Sequence, residues 1–209
     1  MYIPAAFRVD DRNSLHDLMD RQRFATLVTN IDDSPFATHL PLILNRTQGE
    51  NGTLLGHVAK ANPHWNGFSE EEESLAIFHG PHAYISPNWY GDRMVSVPTW
   101  NYAVVHAYGT VKVCTGNAWL TSLLNQMSET FEQGFDEPWT NELPSDLNEK
   151  LLLSIVGFEL TITRLEGKFK LGQNRSEGDQ RRVLTAMGKN GEVEIAELMR
   201  LHSPDNLEE

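Results

Sequence analysis

Apolar positions change their period several times along the chain, and each change predicts an element. Leu15, Leu18 and Met19 follow i, i+3, i+4 spacing behind Asp10 and Asp11, so a capped helix is expected over about residues 12–22. FATLVT at 24–29 and FATHLPLILN at 36–45 are rich in β-formers and flank NIDDSP, which predicts a β-hairpin. Pro41 should mark an edge or a bulge of the second strand. TLLGHV at 53–58 supplies a third strand, and Asn62 followed by Pro63 is the pair expected to open a short helix. A fourth strand covers 75–78. Beyond it Pro81, Pro87 and Pro98 cut residues 78–102 into short extended pieces. Residues 99–114 read as one long strand or a bulged pair, with Gly109 at the bulge.

The second half returns to helical spacing. Leu120, Leu123, Leu124, Met127 and Phe131 form one stripe of a helix over 118–133 capped by Asn117. A short helix over 146–154 and a strand over 156–163 follow. Ser176 and Asp179 are spaced as a broad capping box for a third helix, which Gly188 should end, and an amphipathic helix runs on to about 201. Expected helical segments are thus 12–22, 118–133, 146–154 and 177–201. The strands of the first half do not alternate with helices, so the pattern is α+β and mainly β, an antiparallel barrel or sandwich with flanking helices in one domain over 1–209.

Charge narrows the partners. The 209 residues carry a formal net charge of −12, which opposes nonspecific binding to nucleic acid or an anionic membrane. Eight of the 17 Lys and Arg residues lie between Arg164 and Arg200. Within KFKLGQNRSEGDQRR they read as a solvated face, or as a contact to an anionic cofactor or a neighbouring protomer, and direct DNA binding is not expected. The single cysteine, Cys114, lies in an apolar strand and reads as a small buried hydrophobe. MYIPAAFRVDD lacks the apolar core of a signal peptide and no run approaches membrane-span length, so a cytoplasmic protein is expected.

Candidate chemistry concentrates in two places. FHGPHAYISPNWYGDRMVSVPTWNY at 78–102 carries two His, two Trp and three Tyr with only Asp92 and Arg93 charged, the composition of a ligand wall or an interface core. GHVAKANPHW at 56–65 places Lys60 at a strand end before a helix start, where an ammonium and backbone N–H groups could share a phosphate. Histidines 39, 57, 64, 79, 82 and 106 lack the spacing of a metal signature and read as hydrogen-bonding residues. The glutamates at 70–73 read as a solvated loop. No GxSxG, GxGxxG or P-loop pattern is present, which argues against a nucleophilic hydrolase or a Rossmann dinucleotide site.

MYIP, FATHLPL with LLGHVAKANPHW, FHGPHAYISPNWY with VPTWNYAVVHAYG, and IVGFELTITRLEGKFKLGQNR together resemble the PaiB family, FMN-binding negative transcriptional regulators. The resemblance implies a split β-barrel related to the pyridoxamine-phosphate oxidase type, and a homodimer with FMN at the subunit interface. It implies that Lys60, Ala61 and Asn62 hold the FMN phosphate, with His57, Thr38, His39 and Leu40 on the same side. Trp100 and Asn101 would face the ring system, and Gln173 and Arg175 would reach the ligand from another part of the fold. The alternatives are an FMN-dependent oxidoreductase acting on a small molecule, or a haem-binding protein on the same barrel; no catalytic residue and no metal ligand stands out.

Overall fold

In the computed structural model, which describes residues 1–140 and 143–202, a single turn at Ala5–Phe7 leads into β1 (Arg8–Val9) and α1 (Arg12–Arg21). The Asp11 carboxylate caps α1, accepting the Ser14 N–H at 2.8 Å, and Leu15, Leu18 and Met19 are buried as their spacing predicts. β2 (Phe24–Ile31) and β3 (Ser34–Pro41) then pair without a break from Phe24↔Pro41 to Ile31↔Ser34. Asp32 and Asp33 between them have φ of 51° and 61°, a two-residue type I′ turn whose twist suits the hairpin.

The expected strand over 36–45 is two strands. β3 ends at Pro41, Leu42 is buried, and β4 (Ile43–Asn45) pairs with β5 (Thr53–Ala59). β6 (Glu73–Ile85), β7 (Thr99–Cys114) and β8 (Ile155–Lys170) complete a sheet of order β3-β2-β6-β7-β8-β5-β4, with β1 on β8. The residues fall into two compact units: Met1–Leu18, His79–Val105 and the described residues from Glu166 in one, Met19–Phe78 and His106–Leu165 in the other.

In the second unit β3 and β4 stand at opposite ends of the strand path, yet Leu42 alone joins them. Laid flat at ~4.8 Å per strand, the two edges would lie about 29 Å apart. One residue spans only about 3.5 Å. The sheet must therefore curl until its edges meet, although the hydrogen-bonded path stays open between them. This is the wall of a split barrel. Leu27, Leu42, Leu54, Phe78, Phe158 and Leu160 fill it, each no more than 1% exposed. Gly56 makes room for two of them, since an added Cβ would lie 2.6 Å from Leu42 Cδ2 and 2.9 Å from Phe158 Cζ.

Several expectations are corrected. Pro81 does not cut the chain: β6 runs through it for 13 residues. The β2–β6 register uses Leu75, Ala76 and Ile77, so the missing N–H at Pro81 costs that ladder nothing. β7 is one strand of 16 residues, the first of the two expected forms, and Gly109 lies in close approach to β8. In the second half, α2 (Asn117–Phe131) and α3 (Ser145–Leu152) precede β8, while α4 (Glu177–Asn190) and α5 (Val193–Leu201) follow it. Gly116, not Asn117, caps α2. Gly188 lies inside α4; the left-handed residue is Gly191, at φ 78°, because its N–H and that of Glu192 both return to the Met187 carbonyl. The Ser176 side chain accepts the Asp179 N–H as predicted, but Asp179 turns its own carboxylate to the Gly91 N–H at 2.8 Å. Cys114 is half-buried at the end of β7, its thiol pKa raised by burial and then by Glu159. Among the described residues no helix is long and apolar enough to cross a membrane.

Candidate cofactor site

The chain turns sharply after β5, and nearly every polar group of that turn is used. Lys60 N–H donates to the Ser154 carbonyl at 2.8 Å, and Asn62 N–H to the Ala59 carbonyl at 2.9 Å. The Asn62 side chain accepts the His64 N–H at 3.0 Å and opens a five-residue 3-10 turn at Pro63–Gly67. Its Nδ2 donates across to Thr38 Oγ1 on β3 at 3.0 Å, and His64 Nδ1 lies 2.7 Å from the same oxygen. Trp65 Nε1 donates to the Lys60 carbonyl at 3.0 Å. Lys60 is thus held by its backbone while its side chain remains exposed. An anion arriving here meets that ammonium. The N–H groups of Lys60, Asn62 and His64, which the sequence suggested as an open cradle, are spent inside the fold.

His64 is the hub beneath this turn. It is fully buried, with Phe36 at 5.0 Å and Phe68 at 5.3 Å between ring centroids, and its Nε2 has no hydrogen-bond partner. Burial lowers its pKa to about 4, so the ring is neutral at pH 7. The sequence placed His64 only among six histidines; the legible signal was its position two residues after a capping Asn and amid Phe36, Trp65 and Phe68.

The other residues of the second unit differ in what they offer. His39 is exposed, its Nδ1 3.0 Å from Thr26 Oγ1. Leu40 is core at 4% exposure, so only its backbone is available. Ala61 is exposed beside Lys60. His57, half-buried on β5, has its pKa lowered by burial and a buried Nδ1 without a partner.

Trp100, Asn101, Gln173 and Arg175 belong to the first unit. Trp100 is 52% exposed, its ring 6.1 Å from that of His82 and 6.0 Å from that of Tyr84. Asn101 is buried and donates to Met199 Sδ of α5 at 3.4 Å. Gln173 latches its own loop, accepting from Leu171 N–H and donating to the Phe169 carbonyl. Arg175 lies 4.4 Å from the Tyr90 ring centroid. Nearby, Lys170 donates to Thr99 Oγ1 and the Trp100 carbonyl at 2.6 Å each; burial, then Lys168 and Arg175, lower its pKa.

A cavity of about 450 Å³ lies beside the Lys60 turn, walled by α2, α3, Pro41 and His57, with Ser154 and Ile155 at its edge. The stripe of α2 was legible as an apolar face, but the cavity depends on where α3 sits. Among the described residues, no group of three or more His, Cys, Asp or Glu side chains is placed to hold a metal ion.

Residues 1–164 match the family model described as "Putative FMN-binding domain", a span that includes Thr38 through Asn101 and leaves out Gln173 and Arg175. The "Protease synthase and sporulation protein PAI 2" of Bacillus subtilis is 38% identical over 205 residues, covering 95% of this chain and 96% of that protein. An uncharacterized protein of Aspergillus fumigatus is 32% identical over 200 residues, covering 74% of this chain and 77% of its own length. Among solved structures, the flavocytochrome Anf3 from Azotobacter vinelandii superposes with a TM-score of 0.59 at 14% identity, over 78% of this chain and 69% of that one. An FAD and heme binding protein from Mycobacterium smegmatis does so with 0.56 at 17% identity, over 78% and 73%. At such identities the likeness concerns the fold. The family match and the near full-length relative place this chain in the PaiB-type family of FMN-binding split-barrel proteins.

Proposed function

We propose that this protein is a cytoplasmic homodimer that holds FMN at its subunit interface, with the phosphate on Lys60. The observation that carries the reading is an exposed ammonium on a turn tied by its backbone to Ser154 and to Ala59 of β5, and by the Asn62 side chain to Thr38 of β3. Such a turn presents its charge without first having to order itself. Thr38, His39, the Leu40 backbone, His57, Ala61 and Asn62 form the surface around that anchor. Trp100 and Arg175 are proposed as ring and dimer contacts, with Asn101 and Gln173 holding their backbone in place. A part in gene regulation is proposed to run through a partner or a metabolite, because a net charge of −12 opposes operator binding.

An absorbance spectrum of the purified protein, with and without added FMN, tests the core of this reading. A colourless protein that takes up no FMN at micromolar concentration would overturn it. Lys60→Ala should weaken FMN binding roughly 10- to 100-fold, the worth of one charge-assisted contact to phosphate. Trp100→Ala should instead disturb the flavin spectrum or the dimer seen by sedimentation. Equal affinities in wild type and Lys60→Ala would remove Lys60 from the site.

A further inference from the structure

Strand alternation sorts the last residues of β8 onto two faces. Gly167 lies against Leu15 of α1, and the Phe169 ring stands 4.8 Å from that of His202, so this face is covered by helix. Glu166, Lys168 and Lys170 turn the other way, and β1 sets Arg8 directly opposite Lys168. Arg8 is exposed and the two lysines are half-buried. The Lys168 ammonium stands between two rings, 5.5 Å from the centroid of Tyr2 and 5.3 Å from that of Tyr102. Lys170 spends two of its three N–H groups on Thr99 Oγ1 and the Trp100 carbonyl.

This face gathers positive charge without a counterion. Glu166, the carboxylate beside them on β8, pairs with the Met1 ammonium. Among the described residues no carboxylate pairs with Arg8, Lys168 or Lys170. Beyond burial, Lys168 and Arg175 lower the Lys170 pKa, and no acidic neighbour opposes them. On a chain of net charge −12, such a cluster makes a local field that draws an anion. Lys168 and Lys170 start about 6.6 Å apart along the strand, a span that the outer oxygens of a diphosphate bridge and a single carboxylate does not. Tyr2 is 83% exposed, so one side of its ring is open beside the same ammonium.

We propose that this face of the first unit binds a nucleoside diphosphate, with its phosphates on Lys168, Lys170 and Arg8 and its base against Tyr2. Stacking on an aromatic ring accepts any base, so the phosphates set affinity and the base adds to it without being read. The site is independent of the flavin reading, whose phosphate anchor, Lys60, belongs to the other unit.

ADP titrated calorimetrically into the purified full chain, with and without added FMN, should saturate at one per protomer. Added salt should weaken it. Lys168→Gln should lower ADP affinity roughly tenfold or more, and Arg8→Gln, at an exposed residue, should lower it by a smaller factor and keeps the test open if the first variant does not fold. Tyr2→Ala should weaken ADP while leaving inorganic pyrophosphate unchanged. Lys60→Ala should leave ADP affinity as it is, and Lys168→Gln should leave FMN affinity as it is. The proposal fails if ADP does not saturate at millimolar concentration, or if its affinity survives both Lys168→Gln and Arg8→Gln. It also fails if FMN displaces ADP and Lys60→Ala abolishes both, since one site then holds either ligand. Oligothymidylate that binds more tightly and displaces ADP would overturn it by assigning the face to single-stranded nucleic acid. Conversion of a dimer to monomers by Lys168→Gln would overturn it by assigning the face to a second copy. ADP bound by a protein that takes up no FMN would support this site while refuting the flavin reading.

Discussion

Between pH 7.5 and pH 4.5 the protein is expected to lose about 2.5 kcal/mol of folding stability through His64 alone. In the unfolded chain the imidazole titrates near its ordinary 6.5, whereas in the folded state burial holds it at about 4. Above pH 6.5 neither state is charged, and the full stability is present. As pH falls from 6.5 toward 4 the unfolded chain binds a proton that the buried ring refuses, so the balance shifts toward unfolding. Below about 4 both states are charged and the slope ends. His57 and His202, whose pKa values burial also lowers, add with the same sign. Urea unfolding at the two pH values measures the loss, and His64→Gln should remove most of it. A drop of undiminished size in that variant would assign the effect to other groups. Because His64 shares Thr38 Oγ1 with Asn62, acid should also loosen the Lys60 turn, and FMN affinity should decline over the same pH interval.

Gly109→Ala is expected to cost about 3 kcal/mol or more, while Gly188→Ala should stabilise by roughly 0.5–1 kcal/mol. The substitution is the same and the surroundings reverse its sign. An added Cβ at Gly109 would press into the Thr161 carbonyl oxygen and lie 2.5 Å from Leu160 Cδ2. The obstacle is backbone of the neighbouring strand, so relief requires moving β7 from β8. That displacement would also strain the bond from Thr163 Oγ1 to the Tyr108 carbonyl, 3.2 Å long. At Gly188 nothing lies within 4 Å of the added atom, and the residue is inside α4, where alanine loses less backbone entropy on folding. Thermal unfolding should show Gly109→Ala melting lower by about 6–12 °C. A neutral Gly109→Ala would mean that the two strands are not held as close as the Thr161 contact implies.

What was legible from sequence followed from local rules. The α1 and α2 stripes, the hairpin at NIDDSP, the Asn62 cap and the Ser176 cap each depend on residues a few positions apart, whose chemistry acts at that range. The motifs around Lys60 and Trp100 were enough to name the family. Tertiary structure decided the rest. Leu42 splits one expected strand into the two edges of a barrel because only a curled sheet brings those edges within one residue. Pro81 stays in a strand because the ladder to β2 does not need its N–H, a fact set by register and not by propensity. Gly109 is a close approach because of Thr161, 52 positions later in the chain. His64 became a neutral buried hub, and Leu40 and Asn101 became core, because burial is decided by partners that no local spacing records. The sequence alone determined the family and the local elements; long-range packing determined which of the side chains that the resemblance assigns to a flavin still face solvent.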